Sequence, residues 1–362
     1  MTIATGLATG HAPQPELAKQ AVQDALKKAG VEFAHSVLLF LTPEFANDPQ
    51  PALLAASRAA NCTAINGCSA AGIFTEQGWV QDRPAAAAMV FGGDTRLMPA
   101  HDLAPEALAL SLSTPGAATP AWFAEHSQRL GGIAGDATGP GRFKVWCGGR
   151  VSHHGHCELA IQGARATTGV SLGVLPLGSP LEITQASGYD VLTLDQQPAL
   201  HILAHNLPPA MREQERIPLH LIMVGTTFGD PSTAIGAGRF QLSPIISANM
   251  DDHSVTLSVR LEAGTNMFWA LRQPQAAEQE MIRTLDQLQQ EVAAPDFGLM
   301  FSCIGRGPAF YGGEDRDLEL VRQRFPGMPL IGFYGNGEIA PLHGASQLLQ
   351  YSTALGLFSV DV

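Results

Sequence analysis

The chain has 362 residues, 45% of them hydrophobic, with 38 glycines and 25 prolines, and this suits a compact, turn-rich protein of two domains. Its formal charge of −12 comes with no cluster of lysines or arginines, which excludes a nucleic-acid backbone as partner, and a charged content of only 15% leaves room for a large interface. No apolar run nears the roughly 20 residues of a membrane helix, and residues 1–10 lack the basic and apolar regions of a secretory signal, so neither membrane insertion nor a secretory signal is expected.

Residues 13–28 read as the first helix, because Leu17, Ala21 and Ala25 share a face and Gly30 closes it. Residues 37–41 are apolar without a break and read as a strand buried on both faces, the first of the chain. A second, alanine-rich helix over 51–60 leads into a Gly67–Gly72 turn and another apolar run, 85–91. Residues 94–120 look loose, broken by Pro, Gly, Ser and Thr, and 120–130 look helical. Strands over 143–147 and 157–161 flank Gly148-Gly149 and suggest a hairpin. Turns and short strands alternate from 169 to 190, where the domain junction is placed, giving domains 1–190 and 191–362. Beyond it come a helix over 198–206, a strand over 219–224 and an alternating strand over 255–261. The strongest helix covers 278–292, with Met281, Leu285, Leu288 and Val292 on one face, and Leu318, Val321 and Phe325 mark another. Strands and helices interleave, so the class is α/β.

A short text occurs near both ends. Leu38-Leu39-Phe40-Leu41 precedes a helix, the glycine pair 67 and 72, and an apolar run; Leu299-Met300-Phe301-Ser302-Cys303 precedes a helix, the pair 332 and 337, and the run Thr353–Val360. Two related α/β halves with helix-covered sheets, packed as a pseudo-repeat, are expected.

Several motifs fail. Gly335-Asn336-Gly337-Glu338-Ile339-Ala340 fits G-x-G-x-x-A, but Pro341 and Gly344 deny it the helix a dinucleotide fingerprint opens. Gly67-Cys68-Ser69 has Ala71 where a nucleophile elbow needs glycine. The cysteines at 62, 68, 147, 157 and 303 are odd in number and without C-x-x-C spacing, which points to a reducing cytoplasm and no disulfide framework.

What survives is Arg306, between Gly305 and Gly307 after a buried strand, where open α/β sheets hold ligands. A guanidinium suits a carboxylate, and Glu338 with Asn336 and Gly337 in the second glycine turn suits a polar or cationic end, with Cys303 lining the floor. An Arg306–Glu338 salt bridge holding two turns together is the alternative. His153, His154, His156 and Cys157 form a cluster of metal-ligand types, with His154 and His156 on one side of a strand and His343 a further candidate, and solvent-exposed histidines on a hairpin tip are the plainer reading. Cys303 and Cys68 read as packed thiols, or else as nucleophiles.

Phe301-Ser302-Cys303-x-Gly305-Arg306-Gly307, then Ile331-Gly332-Phe333-Tyr334-Gly335-Asn336-Gly337-Glu338-Ile339-Ala340-Pro341, resembles the closing signature of the FIST sensory domain. Gly67-Cys68-Ser69-Ala70-Ala71-Gly72 and Gly131-Gly132-x-Ala134-Gly135-Asp136 resemble glycine motifs of its N-terminal half. Ser171-x-Gly173-x-x-Pro176-x-Gly178 and Leu194-Asp195-x-Gln197-Pro198-Ala199 resemble the join to its C-terminal half. The resemblance implies a bacterial small-ligand sensor, with amino acids as proposed ligands, that is fused to or partnered with signalling modules. Some members bind haem and sense nitric oxide, and eukaryotic relatives join the two halves to an F-box. Here about thirty residues precede the first expected strand and none follow Val362, so the signal is expected to leave through a separate signalling protein. Ala70 and Ile73 replace polar residues common in the family, which weakens the N-terminal turn as a site. The expectation is therefore a cytoplasmic sensor without catalysis or cofactor, with a haem-based sensor and a cysteine-dependent enzyme as alternatives.

Overall fold

The computed structural model describes residues 2–104, 107–125, 128–135, 142–214, 216–236, 238–342 and 344–361. The chain forms two compact units, Met1–Leu172 with Glu280–Val362, and Gly173–Gln279. The class is α/β, with four sheets.

The first unit is built from one topological sentence used three times. It begins with β1 (Ile3–Thr9), α1 (Pro15–Ala29), β2 (Ser36–Leu41), α2 (Gln50–Ala60), β3 (Ile65–Ser69), the hairpin β4 (Gly72–Thr75) and β5 (Gly78–Gln81), and β6 (Ala85–Phe91). The second copy runs through β7 (Arg96–Pro99), β8 (Ala109–Ser113), the one-turn α3 (Pro120–Phe123), β9 (Arg129–Ile133), β10 (Val145–Cys147), β11 (Arg150–Val151) and β12 (His156–Gln162). The third opens with β13 (Ala164–Ser171) and resumes after the second unit.

The second unit contains β14 (Val174–Ser187), β15 (Asp190–Leu194), β16 (Gln197–Pro198), α4 (Ala199–Asn206), α5 (Pro209–Arg212), β17 (Ile222–Thr227), α6 (Pro231–Ala234), β18 (Phe240–Ala248), β19 (Val255–Leu257) and β20 (Asn266–Arg272). All its pairings are antiparallel. β14 pairs with β20 through its first half and with β15 through its second, so the row of strands closes into a barrel. Trp269, Ile183, Leu194 and Leu203 of α4 fill its core. The chain then continues through α7 (Pro274–Glu291), β21 (Phe297–Cys303), α8 (Arg316–Arg324), β22 (Leu330–Gly335), the hairpin β23 (Glu338–Leu342) and β24 (Ala345–Leu349), and β25 (Thr353–Val360).

In each copy the second and third strands are parallel (β2–β3, β8–β9, β21–β22) and the last strand lies antiparallel to the second. The hairpin between them joins a different sheet. β4–β5 completes the sheet of β22, β23–β24 that of β9, and β10–β11 that of β3. The three six-stranded sheets are therefore β1-β6-β2-β3-β10-β11, β7-β12-β8-β9-β23-β24 and β13-β25-β21-β22-β4-β5, closed by a cyclic exchange.

One glycine per copy makes this possible. Gly67, Gly131 and Gly332 sit opposite Leu39, Ser111 and Met300. A Cβ there would lie 1.8, 1.7 and 1.9 Å from the facing carbonyl oxygen, so only glycine permits the approach. Aligned on these glycines, Phe40 and Phe301 occupy equivalent positions and meet Phe333 edge-on, with centroids 4.9 Å (Phe40) and 5.3 Å (Phe301) away. The opposite faces of the first and third sheets are covered by helices, Leu39, Leu41 and Ala88 packing with α1 and α2, and Met300 and Leu355 with α7 and α8.

Several expectations need correction. The first strand is β1, at residue 3 and not 37. Its small residues carry little strand signal, and Gly6 is forced by α1, since a Cβ there would lie 2.0 Å from the Ala21 carbonyl oxygen. The loose stretch 94–120 holds β7 and the buried β8. The helix expected over 120–130 ends at Phe123, because Arg129–Ile133 is a buried strand. Strands 143–147 and 157–161 are not a hairpin: β10 belongs to the first sheet and β12 to the second. In place of short strands, residues 164–187 form the long β13 and β14.

Candidate functional site

The three glycine turns converge. Ala70 bridges to Gly135, the Ala71 N–H donates to the Tyr334 carbonyl (3.0 Å), the Asn336 N–H to Ile133 (3.0 Å) and the Ile133 N–H to Gly337 (2.8 Å). This junction lies at the carboxyl ends of the parallel strands, where α/β sheets expose backbone groups to ligands.

Cys303 ends β21, and its N–H donates to the Ser352 carbonyl (3.0 Å). Ser352 in turn holds Glu338, the first residue of β23, donating to Oε2 from its hydroxyl (2.6 Å) and its N–H (3.3 Å). Glu338 is fully buried, and its Oε1 has no partner. Burial pushes this carboxyl well above the usual range, against the bonds from Ser352 and the positive charge of Arg306. Asn336 is half-buried, and its side-chain amide lies over the bare Cα of Gly135.

After Cys303 a single 3-10 turn, Ile304–Arg306, includes the half-buried Gly305 and carries Arg306 inward. The guanidinium is buried. Nε and Nη2 donate to the two Asp317 oxygens (2.8 and 3.2 Å), and Nη1 and Nη2 to the Ser171 carbonyl and hydroxyl (2.8 and 2.7 Å). Burial alone would lower its pKa, but the Asp317 carboxylate reverses the direction. Asp317 also accepts from Tyr311 (2.9 Å) and Thr353 (2.9 Å). Next to it Asp315 caps α8 by accepting from the Leu318 N–H (2.9 Å) and takes the Tyr334 hydroxyl. Burial and the Asp317 charge raise Asp315 to about 6.

The structure thus gathers Cys303, Glu338, Arg306, Asn336, Gly305 and Gly337 around the ends of β21 and β22. Sequence reading missed Ser352, Asp317 and Ser171, which organise them. Asp315 and Asp317 stand before a helical period, a cap signal that was available, whereas serines at strand ends carry none.

His343 lies outside the described residues. His154 is exposed and His156 half-buried, with their rings 6.0 Å apart. The flank of His156 is occupied by Trp122, at 5.6 Å. Among the thiols, burial pushes Cys68 well up. A hydrogen bond with Cys157 lowers Cys147, a thiol that the sequence did not single out, to about 7.

Two family models match the chain, the FIST N domain over residues 35–197 and the FIST C domain over residues 199–341. The chain belongs to the FIST family. Among relatives of this FIST protein, an uncharacterized protein of Mycobacterium tuberculosis is 24% identical over 230 residues, 63% of this chain and 60% of that one. Another, from Mycobacterium bovis, is 24% identical over 234 residues, 64% of this chain and 61% of its own. Human F-box only protein 22 is 46% identical over 43 residues, 12% of this chain and 11% of that protein. The matched region spans about 60% of the length of the mycobacterial relatives. Among the described residues, no helix is long and apolar enough to cross a membrane.

Proposed function

We propose that this FIST protein is a cytoplasmic small-ligand sensor whose binding centre is the buried cluster around Glu338, and that it signals by contact with a separate protein. The observation that carries the reading is the unpartnered Glu338 Oε1. A buried carboxyl oxygen without a donor is costly, and a ligand ammonium or hydroxyl supplies one. An amino acid, or a similar small carboxylate, is the ligand class. Its cationic or hydroxyl end goes to Glu338, its polar atoms to Asn336 and the backbone of Gly305 and Gly337, and Cys303 lines the floor. Arg306 contributes positive potential from beneath while keeping its bonds to Asp317 and Ser171. Five free cysteines accord with a reducing compartment.

Glu338→Gln tests this. The amide keeps the shape and an acceptor for Ser352 but cannot take the carboxylate form that a ligand ammonium would stabilise. A thermal-shift screen against the amino acids and small carboxylates should find a ligand whose shift vanishes in the variant, while the unliganded melting temperature is held or raised. An equal shift in Glu338→Gln overturns the assignment. Arg306→Ala is the wrong probe, because it strands Asp317 and costs about 3–5 kcal/mol in stability alone.

A further inference from the structure

The second sheet differs from its two counterparts on the outward face. Aligned on Gly67 and Gly131, the positions of Leu39, Leu41, Ile65, Ala86 and Ala88 in the first sheet become Ser111, Ser113, Arg129, His156 and Glu158 in the second. The first set packs against two long helices, whereas here the covering helix is the single turn α3. Arg129 is fully buried on this face. Its Nη1 donates to the Ser111 hydroxyl (3.0 Å) and pairs with Glu158, and its Nη2 donates to the Trp122 carbonyl (2.6 Å). The guanidinium carbon lies 4.2 Å from the Trp122 ring centre, and the His156 ring 5.6 Å from the same indole.

Among the described residues, three buried polar atoms in this cluster have no partner: Arg129 Nε, Trp122 Nε1 and His156 Nδ1. Burial first, and then the neighbouring positive charges, lower the pKa of His156 and so favour its neutral ring. A neutral imidazole carries one proton, and with that proton on Nε2 the unpartnered Nδ1 is an acceptor. The cluster therefore offers two fixed donors and one acceptor, and each is expensive to leave unmatched. A carboxylate with a hydroxyl or ammonium on the adjacent carbon answers all three. Its oxygens accept from Arg129 and Trp122, and its donor reaches His156.

We infer that the outward face of the second sheet, at Trp122, Arg129 and His156, is a binding site for a small α-hydroxy or α-amino carboxylate. It is distinct from the Glu338 cluster, since Glu338 stands opposite Gly132 and points to the other face of that sheet.

The test uses the full chain with its four tryptophan indoles labelled with 15N, the Trp122 resonance being assigned by its loss in Trp122→Phe. Acetate, glycolate and glycine are titrated separately. The expected result is a saturable downfield shift of the Trp122 indole proton, with glycolate or glycine binding about tenfold tighter than acetate. Which of the two wins separates a hydroxy acid from an amino acid. Trp122→Phe should retain the melting temperature and lose most of the affinity. His156→Phe should erase the preference over acetate while leaving acetate bound. The response should persist in Glu338→Gln, so failure of one site is readable apart from failure of the other. A Trp122 resonance unmoved by all three solutes means an internal water satisfies these atoms, and overturns the site.

Discussion

Asp315 and Asp317 lie two residues apart at the start of α8, both inside the protein, and their surroundings treat them differently. Asp317 receives a guanidinium and two hydroxyls. Asp315 has one backbone N–H and one phenol, and sits beside its neighbour's charge. Raised to about 6 from an ordinary 3.8, Asp315 binds its proton more tightly in the folded chain than in the unfolded one. Its contribution is fully present below about pH 4 and is lost as pH rises through 6, a swing of about 3 kcal/mol. Asn at this position keeps the cap and does not titrate. Urea unfolding of Asp315→Asn and the parent at pH 4 and pH 7 should show the stability difference moving by about that amount in the variant's favour. A difference that stays flat with pH means the carboxyl is not perturbed. Arg306 shows what composition cannot reveal: a lone arginine between glycines looks free in one dimension, and its partner Asp317 becomes visible only when α8 folds back over β21.

At the scale of elements, the long periodic helices and the unbroken strands were legible. α1, α2, α7, β2 and β21 fall within a few residues of where pattern places them, since each buries a continuous face. The second copy of the repeat was hidden for a physical reason. Its strands alternate Leu with Ser and Arg, and its helix has shrunk to one turn, so neither period reaches the length that makes it readable. Only its glycines, 131, 132 and 135, kept the pattern. They support a sharp prediction: Gly131→Ala drives a Cβ to 1.7 Å from a main-chain oxygen that is itself locked in the ladder. The cost should be at least about 2 kcal/mol. Gly116→Ala, with nothing within 4 Å, should stay within about 0.5 kcal/mol. Chemical denaturation of both variants decides it, and equal effects would show that the strand approach is slack. The candidate ligand residues were legible as residue types at strand ends, but the serines and the register that join them were not.

For the whole molecule, two units with separate cores predict two thermal transitions. Leu200→Ala, in the core of the second unit, should lower one transition in a calorimetric scan and leave the other in place. A single transition that moves as a block would mean the units melt as one. The cyclic exchange of hairpins carries a different consequence. Each copy of the repeat gives away the strand pair that follows its parallel strands and receives one from another copy, so one copy alone is left with an open edge and an unplaced hairpin. Here the exchange closes over three copies, each sheet receiving its hairpin from another. The chain carries in tandem what three identical short peptides would build by assembling, which makes it a covalently joined trimer: one copy was free to lose its helices, and another to accept a barrel in mid-sentence, because the remaining members still hold the ring closed.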